Sequence, residues 1–593
     1  MQTLHFLNIE ILGQVAKTEL HLEKRGNNMK KRCTTAILAM LLLVSMVTGA
    51  CGQSNGVTDT EIQEGTQVES TPVSAMTEAN NYDLNIIDDK YRSYYEIFLY
   101  SYCDSDGDGI GDIKGLISQL DYINDGDDST DTDLGMTGIW LMPIMPSTTY
   151  HKYDVTDYEA INEEYGTMED FEALVEACHE RGINLIIDLV MNHTSSQHPW
   201  FTQAYDYLKG LNGAQPSVEE CPYFGYYNFT QDAPDGTYCK VGDTGWYYEA
   251  PFWSEMPDLN LESDAVRQEF DDITSFWLDK GIDGFRLDAV GEYYSNNITR
   301  SVSVLSWFTN MVYTKDPEAY IVGEAWTNLD AYAQYYASGI DSCFDFAFAN
   351  TDGIIASTIK RTGGYTAKSF GNSLVNLDHT LSEYSDTYID APFYTNHDMG
   401  RSAGYYSGDN SEAQTKIAGA MNLMMTGNAF VYYGEELGMK GSGKDENKRA
   451  PMQWSDDASA EGMCNGPADM ESIKMKYGSL ADQQDDPLSI YNYYKQAVKL
   501  RNIYPQIARG SVAVNKDLSN DNICAITKTY EDETIMILFN ISEIDETVDV
   551  SSVSLTKAAG EVSLGGMLLT GETAASLDGT TITMPAYSVV ILK

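Results

Sequence analysis

The chain has 593 residues, too many for one hydrophobic core, so a large domain with smaller satellites is expected. Its formal net charge of −52 repels phosphate backbones and excludes nucleic acid as a partner, while leaving a neutral substrate open. Hydrophobic residues make up 43% of the chain and the mean hydropathy is −0.32, as in soluble globular proteins.

Residues 1–28 carry no export signature. Met29-Lys30-Lys31-Arg32 then opens a basic region, followed by an apolar run over about 36–47 that is too short to span a membrane comfortably. This is the pattern of a signal peptide, with Met29 the expected start and residues 1–50 an upstream extension plus signal. Thr48-Gly49-Ala50-Cys51-Gly52 resembles the cleavage box of bacterial lipoproteins, departing from it at Thr48, where Leu is usual. Cys51 is therefore the expected lipidation site, and the protein is expected outside the cell, anchored to the membrane. Ordinary secretion after cleavage at a small residue is the alternative. Residues 51–81, rich in Ser, Thr, Glu, Gln and Gly, read as a disordered tether that cannot bury enough surface to order itself.

Beyond the tether, short apolar runs alternate with helical stretches. The expected strands are 97–102, 138–142, 184–190, 284–288, 320–324, 343–346, 391–396 and 429–433, with amphipathic segments such as 168–181, 264–280 and 411–425 between them. Eight strand–helix units in series predict an α/β fold, a (β/α)8 TIM barrel over 82–505. The long Tyr-, Gly- and Pro-rich gap at 193–258 reads as a small inserted domain after strand three. Helices are expected to stop near 505, and runs at 512–514, 523–528, 534–540, 546–550 and 580–592 predict a C-terminal antiparallel β-sandwich over 506–593. The nine cysteines show no metal-binding spacing; Cys221 and Cys239 are close enough in sequence to bridge one loop region.

The organising stretch is Gly281-Ile282-Asp283-Gly284-Phe285-Arg286-Leu287-Asp288-Ala289-Val290, a turn and a buried strand ending in charge. Residues two apart on a strand share a face, so Arg286 and Asp288 are neighbours, and a cation beside a carboxylate favours the ionised form that a nucleophile needs. Other predicted strands end similarly: Asp188, Asn192 and His193 close the third, Glu324 the fifth, and Asn396-His397-Asp398 the seventh. Strand ends of a barrel share one face, which brings Asp288, Glu324 and Asp398 together with Arg286, His193 and His397. Upstream, Asp104, Asp106, Asp108 and Asp112 alternate with small residues, an array of hard oxygen donors suited to Ca²⁺ with the Ile110 carbonyl. An EF-hand would place a Glu where Gly115 stands.

Four segments, Asp188 to His193, Gly284 to Asp288, Gly323-Glu324-Ala325-Trp326 and Asn396 to Asp398, resemble the ordered regions of the α-amylase family of retaining glycoside hydrolases. Tyr150-His151-Lys152-Tyr153-Asp154-Val155-Thr156-Asp157-Tyr158 and Met256-Pro257-Asp258-Leu259-Asn260 agree with it. The resemblance implies a barrel with an insert after strand three and a C-terminal β domain. It implies Asp288 as nucleophile, Glu324 as general acid/base and Asp398 as transition-state stabiliser, with close negative neighbours raising the Glu324 pKa. It also implies substrate contacts from Asp188, His193, Arg286, His397 and Arg449, and Tyr153 stacked beneath a sugar ring. The 8 Trp and 41 Tyr supply ring faces suited to sugars, although most are expected in the core.

Gly291 and Glu292 replace the Lys-His pair that many α-amylases carry after the nucleophile, and Tyr150 stands where exo-acting oligo-1,6-glucosidases have an Asp. The first removes the lysine and histidine contacts to the leaving-side sugar, and the second favours an open cleft and endo attack. Met256 to Asn260 and Lys448-Arg449-Ala450-Pro451-Met452-Gln453-Trp454 instead resemble the oligo-1,6-glucosidase and neopullulanase branch. Asn192 matches a calcium-ligand position, leaving a second site open. The expected protein is a monomeric cell-surface α-amylase cleaving internal α-1,4 bonds of starch or maltodextrins. Neopullulanase or oligo-1,6-glucosidase activity is the alternative within the class, and a non-catalytic glucan-binding surface protein the alternative outside it.

Overall fold

The computed structural model describes residues 76–77 and 83–593, apart from 234, 296 and 556–561. The predicted signal peptide and Cys51 lie outside the described residues, as does most of the tether. Met76–Thr77, within the expected tether, forms a short strand paired antiparallel with Leu568 and Met567.

Seven parallel strands form one sheet in the order Ser342–Cys343, Tyr320–Gly323, Gly284–Leu287, Asn184–Leu189, Gly138–Leu141, Tyr94–Ile97, Phe430–Tyr432. The two edges are joined through residues 391–393, where Phe344 bridges to Ala391 and Phe393 to Phe430, both in parallel. The sheet is thereby curled into a (β/α)8 barrel. Strands enclosed on both faces read as near-continuous apolar runs, as Asn184–Leu189 does. Its interior is filled by side chains including Tyr94, Trp140, Tyr320, Phe344 and Phe430. Tyr94 stacks between Tyr320 and Phe430 with ring centroids 5.3 and 4.9 Å away. Glycine makes room for these rings and for close strands. A Cβ on Gly138 would lie 2.5 Å from the Tyr94 ring, and one on Gly284, at φ +149°, would lie 1.9 Å from the Tyr320 carbonyl.

The first strand lies earlier than the expected 97–102, because Leu99–Ser101 is a 3₁₀ turn and the apolar run continues as buried loop. The seventh predicted strand, 391–396, contributes only isolated bridges. Outside the barrel, Asp264–Asp279 buries Val266, Phe270, Ile273 and Trp277 along one stripe. Met168–His179 starts on a capping box between Thr167 and Asp170. Helices do not stop at 505: Ile490–Ile503 is followed directly by Pro505–Arg509, with Pro505 at the first helical turn.

The insert holds helix Pro199–Gly210 and a three-stranded sheet of Phe229–Thr230, Tyr247–Glu249 and Tyr238–Lys240. It is tied back by bridges from His193 to Asp258 and from Tyr227 to Leu259. The expected Cys221–Cys239 bridge is not formed. Both thiols are free; Cys221 precedes a 3₁₀ turn and points its Sγ at the Gln203 carbonyl, while Cys239 sits in a strand opposite Tyr248. The C-terminal region carries a six-stranded and a three-stranded antiparallel sheet. The single run expected at 580–592 is two strands, Thr581–Met584 and Ser588–Leu592, and Leu564–Leu568 and Ser576–Asp578 are additional strands.

Candidate active site

Arg286, on the fourth barrel strand, is completely buried with its guanidinium over the Trp140 ring, 4.9 Å from the centroid. Nη1 donates to Asp188 at 2.9 Å and to Asp288 at 2.7 Å, and Nη2 lies 2.9 Å from Glu324 Oε2. A buried guanidinium needs such compensation, since removing one partner of a buried pair costs about 3–5 kcal/mol. The predicted sharing of a face by Arg286 and Asp288 is thus realised as a direct hydrogen bond. Glu324 Oε2 also accepts from the Ala289 N–H at 3.2 Å. Ala289, next to Asp288, has φ +47°, a left-handed conformation that non-glycine residues seldom adopt and that stores strain at functional sites.

A second group of charges closes on Asp398. His397 Nε2 lies 3.2 Å from Asp398 Oδ2, and Arg449 Nη2 donates to Asp398 Oδ1 at 3.0 Å. His397 Nδ1 contacts Glu96 Oε1 at 2.6 Å, from the first strand. Tyr153 Oη donates to Asp188 at 3.0 Å and meets His397 Nε2 at 2.9 Å, joining the two groups.

The environment sets these groups in different protonation states. Burial opposes charge on Glu324; Arg286 pulls the other way, Asp288 and Asp398 add to burial, and its pKa is raised to about 7. Burial leads here, ahead of the negative neighbours named in the sequence reading. For Asp398, burial is outweighed by His397, Arg449 and Arg286, which hold the carboxyl well below its usual range. Burial would lower His397, but Asp398 and Glu96 outweigh it and raise the imidazole to about 9. His397 is therefore an imidazolium at neutral pH, donating from both nitrogens.

The structure brings Asp288, Glu324 and Asp398 to one face with Arg286 and His397. Several of the expected sugar contacts also have protein partners. Asp188 and Arg286 are fully enclosed by each other and Tyr153, both His397 nitrogens have protein partners, and Arg449 is bonded to Asp398. Tyr153 is buried with its ring stacked on His397 at 5.5 Å. His193 differs, for its buried Nε2 has no hydrogen-bond partner among the described residues.

A cavity of about 400 Å³ opens beside Glu324, with Phe252 from the insert, Gly291, Glu292, Trp326 and Tyr335 in its walls. Phe252 is 49% and Trp326 54% exposed, large apolar areas to leave in water, and Trp326 stacks on Phe346 at 5.0 Å. The sequence reading missed Glu96, Phe252 and Trp326 as site residues. Glu96 is a lone acid in the apolar run Tyr94–Ile97, a signal hidden by placing the first strand three residues late.

In the acidic loop, carboxylate oxygens of Asp104, Asp106 and Asp108 lie within 4.8 Å of one another. Asp112 is not brought into this group; its oxygens accept from Ser105 N–H and Oγ–H and from Gly115 N–H, capping helix Ile113–Ser118. Asn192 turns its amide to Asp258, donating at 3.0 Å, and no second acidic cluster forms there among the described residues.

Residues 96–510 match the family model for the α-amylase catalytic domain. The chain belongs to the α-amylase family. This glycoside hydrolase is 37% identical over 467 residues to Alpha-amylase 3 of Dictyoglomus thermophilum, covering 78% of this chain and 87% of the relative. It is 27% identical over 530 residues to an oligo-1,6-glucosidase of Parageobacillus thermoglucosidasius, covering 76% and 89%. The solved structure of Eubacterium rectale Amy13B superposes on the enzyme with a TM-score of 0.84 at 52% identity, over 88% of this chain and 99% of that one.

Proposed function

We propose that this enzyme is a retaining, endo-acting α-1,4-glucan hydrolase that degrades starch and maltodextrins outside the cell, with Cys51 as its lipid anchor. The observation that carries the catalytic reading is the guanidinium of Arg286 holding Asp288 and Glu324 together. Retaining enzymes set their carboxyl groups about 5–5.5 Å apart, against about 6.5–9.5 Å for inverting ones. Two carboxyl groups on one guanidinium favour the shorter spacing.

Asp288 uses one oxygen on Arg286 and its Oδ2 has no hydrogen-bond partner among the described residues, leaving it for attack on the anomeric carbon. As the glycosidic bond breaks, Glu324 gives its proton to the leaving oxygen. A pKa near 7 keeps that proton available in neutral solution. The resulting glycosyl ester on Asp288 is cleaved by water, whose proton returns to Glu324. Asp398, held ionised, stabilises the positive charge that develops on the sugar. The unpartnered His193 Nε2 suits a sugar hydroxyl, and Phe252 and Trp326 offer apolar faces on the leaving side.

The acidic loop fits Ca²⁺ held by Asp104, Asp106 and Asp108, none of which has an ion-pair partner among the described residues. The ion would supply positive charge there and pin the loop to its neighbours, which it already meets through Asp104 N–H to the Gly462 carbonyl and Asn465 N–H to the Gly109 carbonyl.

A second reading, α-1,6 or neopullulanase action, is favoured by Gly291 and Glu292 in the leaving-side wall, where no cation stands in the lining. The product profile from starch and pullulan separates the two. Rapid loss of starch viscosity with few reducing ends and little action on pullulan supports endo α-1,4 cleavage. Panose from pullulan moves the assignment to neopullulanase. Asp288→Asn at wild-type rate overturns the catalytic roles.

A further inference from the structure

A second groove, of about 450 Å³, lies on the insert, away from the carboxylates. Its apolar lining comes from Leu208, Leu211 and Trp246, and its polar lining includes Asn212, Gln231 and Asp243. Trp246 is half-buried, with Phe224 meeting it edge to face at 5.7 Å, and its N–H bonds Thr244 Oγ1 at 3.1 Å. The indole Nε1–H and the side chains of Gln231 and Asp243 make no hydrogen bond among the described residues. The one cation in the lining, Lys209, is engaged with Asp206 at 3.6 Å and with the Tyr205 ring at 5.3 Å.

An aromatic face held by a neighbouring ring, with free amide, carboxylate and indole groups beside it, matches a sugar, which has apolar CH faces and hydroxyls around its edge. The lining has no surplus of positive charge for an anion. Trp246 leads directly into strand Tyr247–Glu249, and six residues later the chain reaches Phe252 in the cleft wall. Six residues span at most about 20 Å, so one extended glucan can reach both places.

We propose that the Trp246 groove is a non-catalytic binding site for the α-glucan chain, holding polysaccharide while the cleft cuts it. The proposal rests on the α-glucan reading of the active site. It is tested with the full chain carrying Trp246→Ala and, separately, the exposed pair Gln231→Ala/Asp243→Ala, which keeps the test open if the Trp variant misfolds. Retardation in native gels containing amylopectin is measured in an Asp288→Asn background, and rates on amylopectin and on maltotriose in the active background. Loss of one stacked ring is expected to weaken retardation and lower the amylopectin rate about tenfold, with the maltotriose rate within about twofold of wild type. Wild-type retardation by both variants overturns the groove. An equal fall on both substrates also overturns it, by showing that the substitutions act through the cleft. If the unsubstituted enzyme hydrolyses neither substrate, the active-site reading fails first and the groove with it.

Discussion

Glu96 and His397, 301 positions apart in sequence, meet at 2.6 Å between Oε1 and Nδ1 and tie the first strand to the segment that carries Asp398. Because the imidazole also faces Asp398, Glu96 governs the charge next to the proposed transition-state stabiliser. Glu96→Gln is expected to lower the His397 pKa from about 9 and reduce kcat about tenfold with little change in KM. Titration of the His397 ring by NMR checks this; an unmoved pKa contradicts it. The sign for stability follows from a folded pKa above the unfolded value of 6.5. The contribution is fully present below about 6.5 and is lost as pH rises through about 9.

Glu324, with its pKa raised to about 7, carries its catalytic proton through the weakly acid range and loses it above. Activity is expected to fall as pH rises through about 7. Glu324→Gln should lower kcat by about 10²–10⁴ on natural glucans and abolish that limb. Asp288→Asn should move the Glu324 pKa downward, because the Asp288 charge helps to hold it up. Carboxyl NMR gives the second result directly, and an upward shift would refute it.

Ala289 follows Asp288, the proposed nucleophile, and lends its own N–H to Glu324, in a backbone conformation that glycine tolerates and β-branched residues resist. Ala289→Val is expected to destabilise the enzyme by about 1–3 kcal/mol in urea unfolding and to lower kcat. Ala289→Gly should retain stability within about 1 kcal/mol.

On the leaving side, Trp326→Ala removes the exposed ring stacked on Phe346. The expected result is an about tenfold fall in kcat/KM for starch, with a smaller effect on activated glycosides whose leaving group is not a sugar. Equal effects on both substrates would place the ring outside the acceptor contacts.

The acidic loop makes a separate prediction about stability. Chelation of Ca²⁺ is expected to lower Tm by roughly 2–5 °C in the wild type. Asp106→Asn, which changes an exposed carboxylate of the cluster, should show the lower Tm with or without the ion. Differential scanning calorimetry with and without chelator reads both arms.

The barrel was legible because its strands are short apolar runs closed by charge, and alternation alone put Arg286 beside Asp288. The same logic of strand ends put Asp288, Glu324 and Asp398 on one face. What the sequence concealed was how tightly those charges satisfy one another. Asp188, Arg449 and His397 carry residue types suited to sugars, and each also meets a neighbour that only the closed barrel supplies. Asp112 caps a helix for a related reason: a carboxylate at a helix start caps the backbone as readily as it binds metal. Phe252 and Trp326 were hidden because nothing local distinguishes an aromatic left in water from one in the core. The strand at Leu564–Leu568 escaped notice because its two central glycines break the alternation.

The barrel's seam at 391–393 has consequences for how kinetics on this enzyme are interpreted. Its neighbours Ser342–Cys343 and Phe430–Tyr432 are short strands paired on their other sides, whereas this segment is held by single bridges to Phe344 and Phe430. The geometry of Asp398, a few residues on, is therefore fixed by His397 and Arg449 more than by a backbone ladder. Replacing that carboxylate with an amide removes the field that the transition state feels and also slackens the mooring of the segment that bears it. A rate loss at Asp398 is a sum of lost field and lost alignment, whereas one at Asp288, seated at the end of a fully paired strand, reports the chemistry more directly.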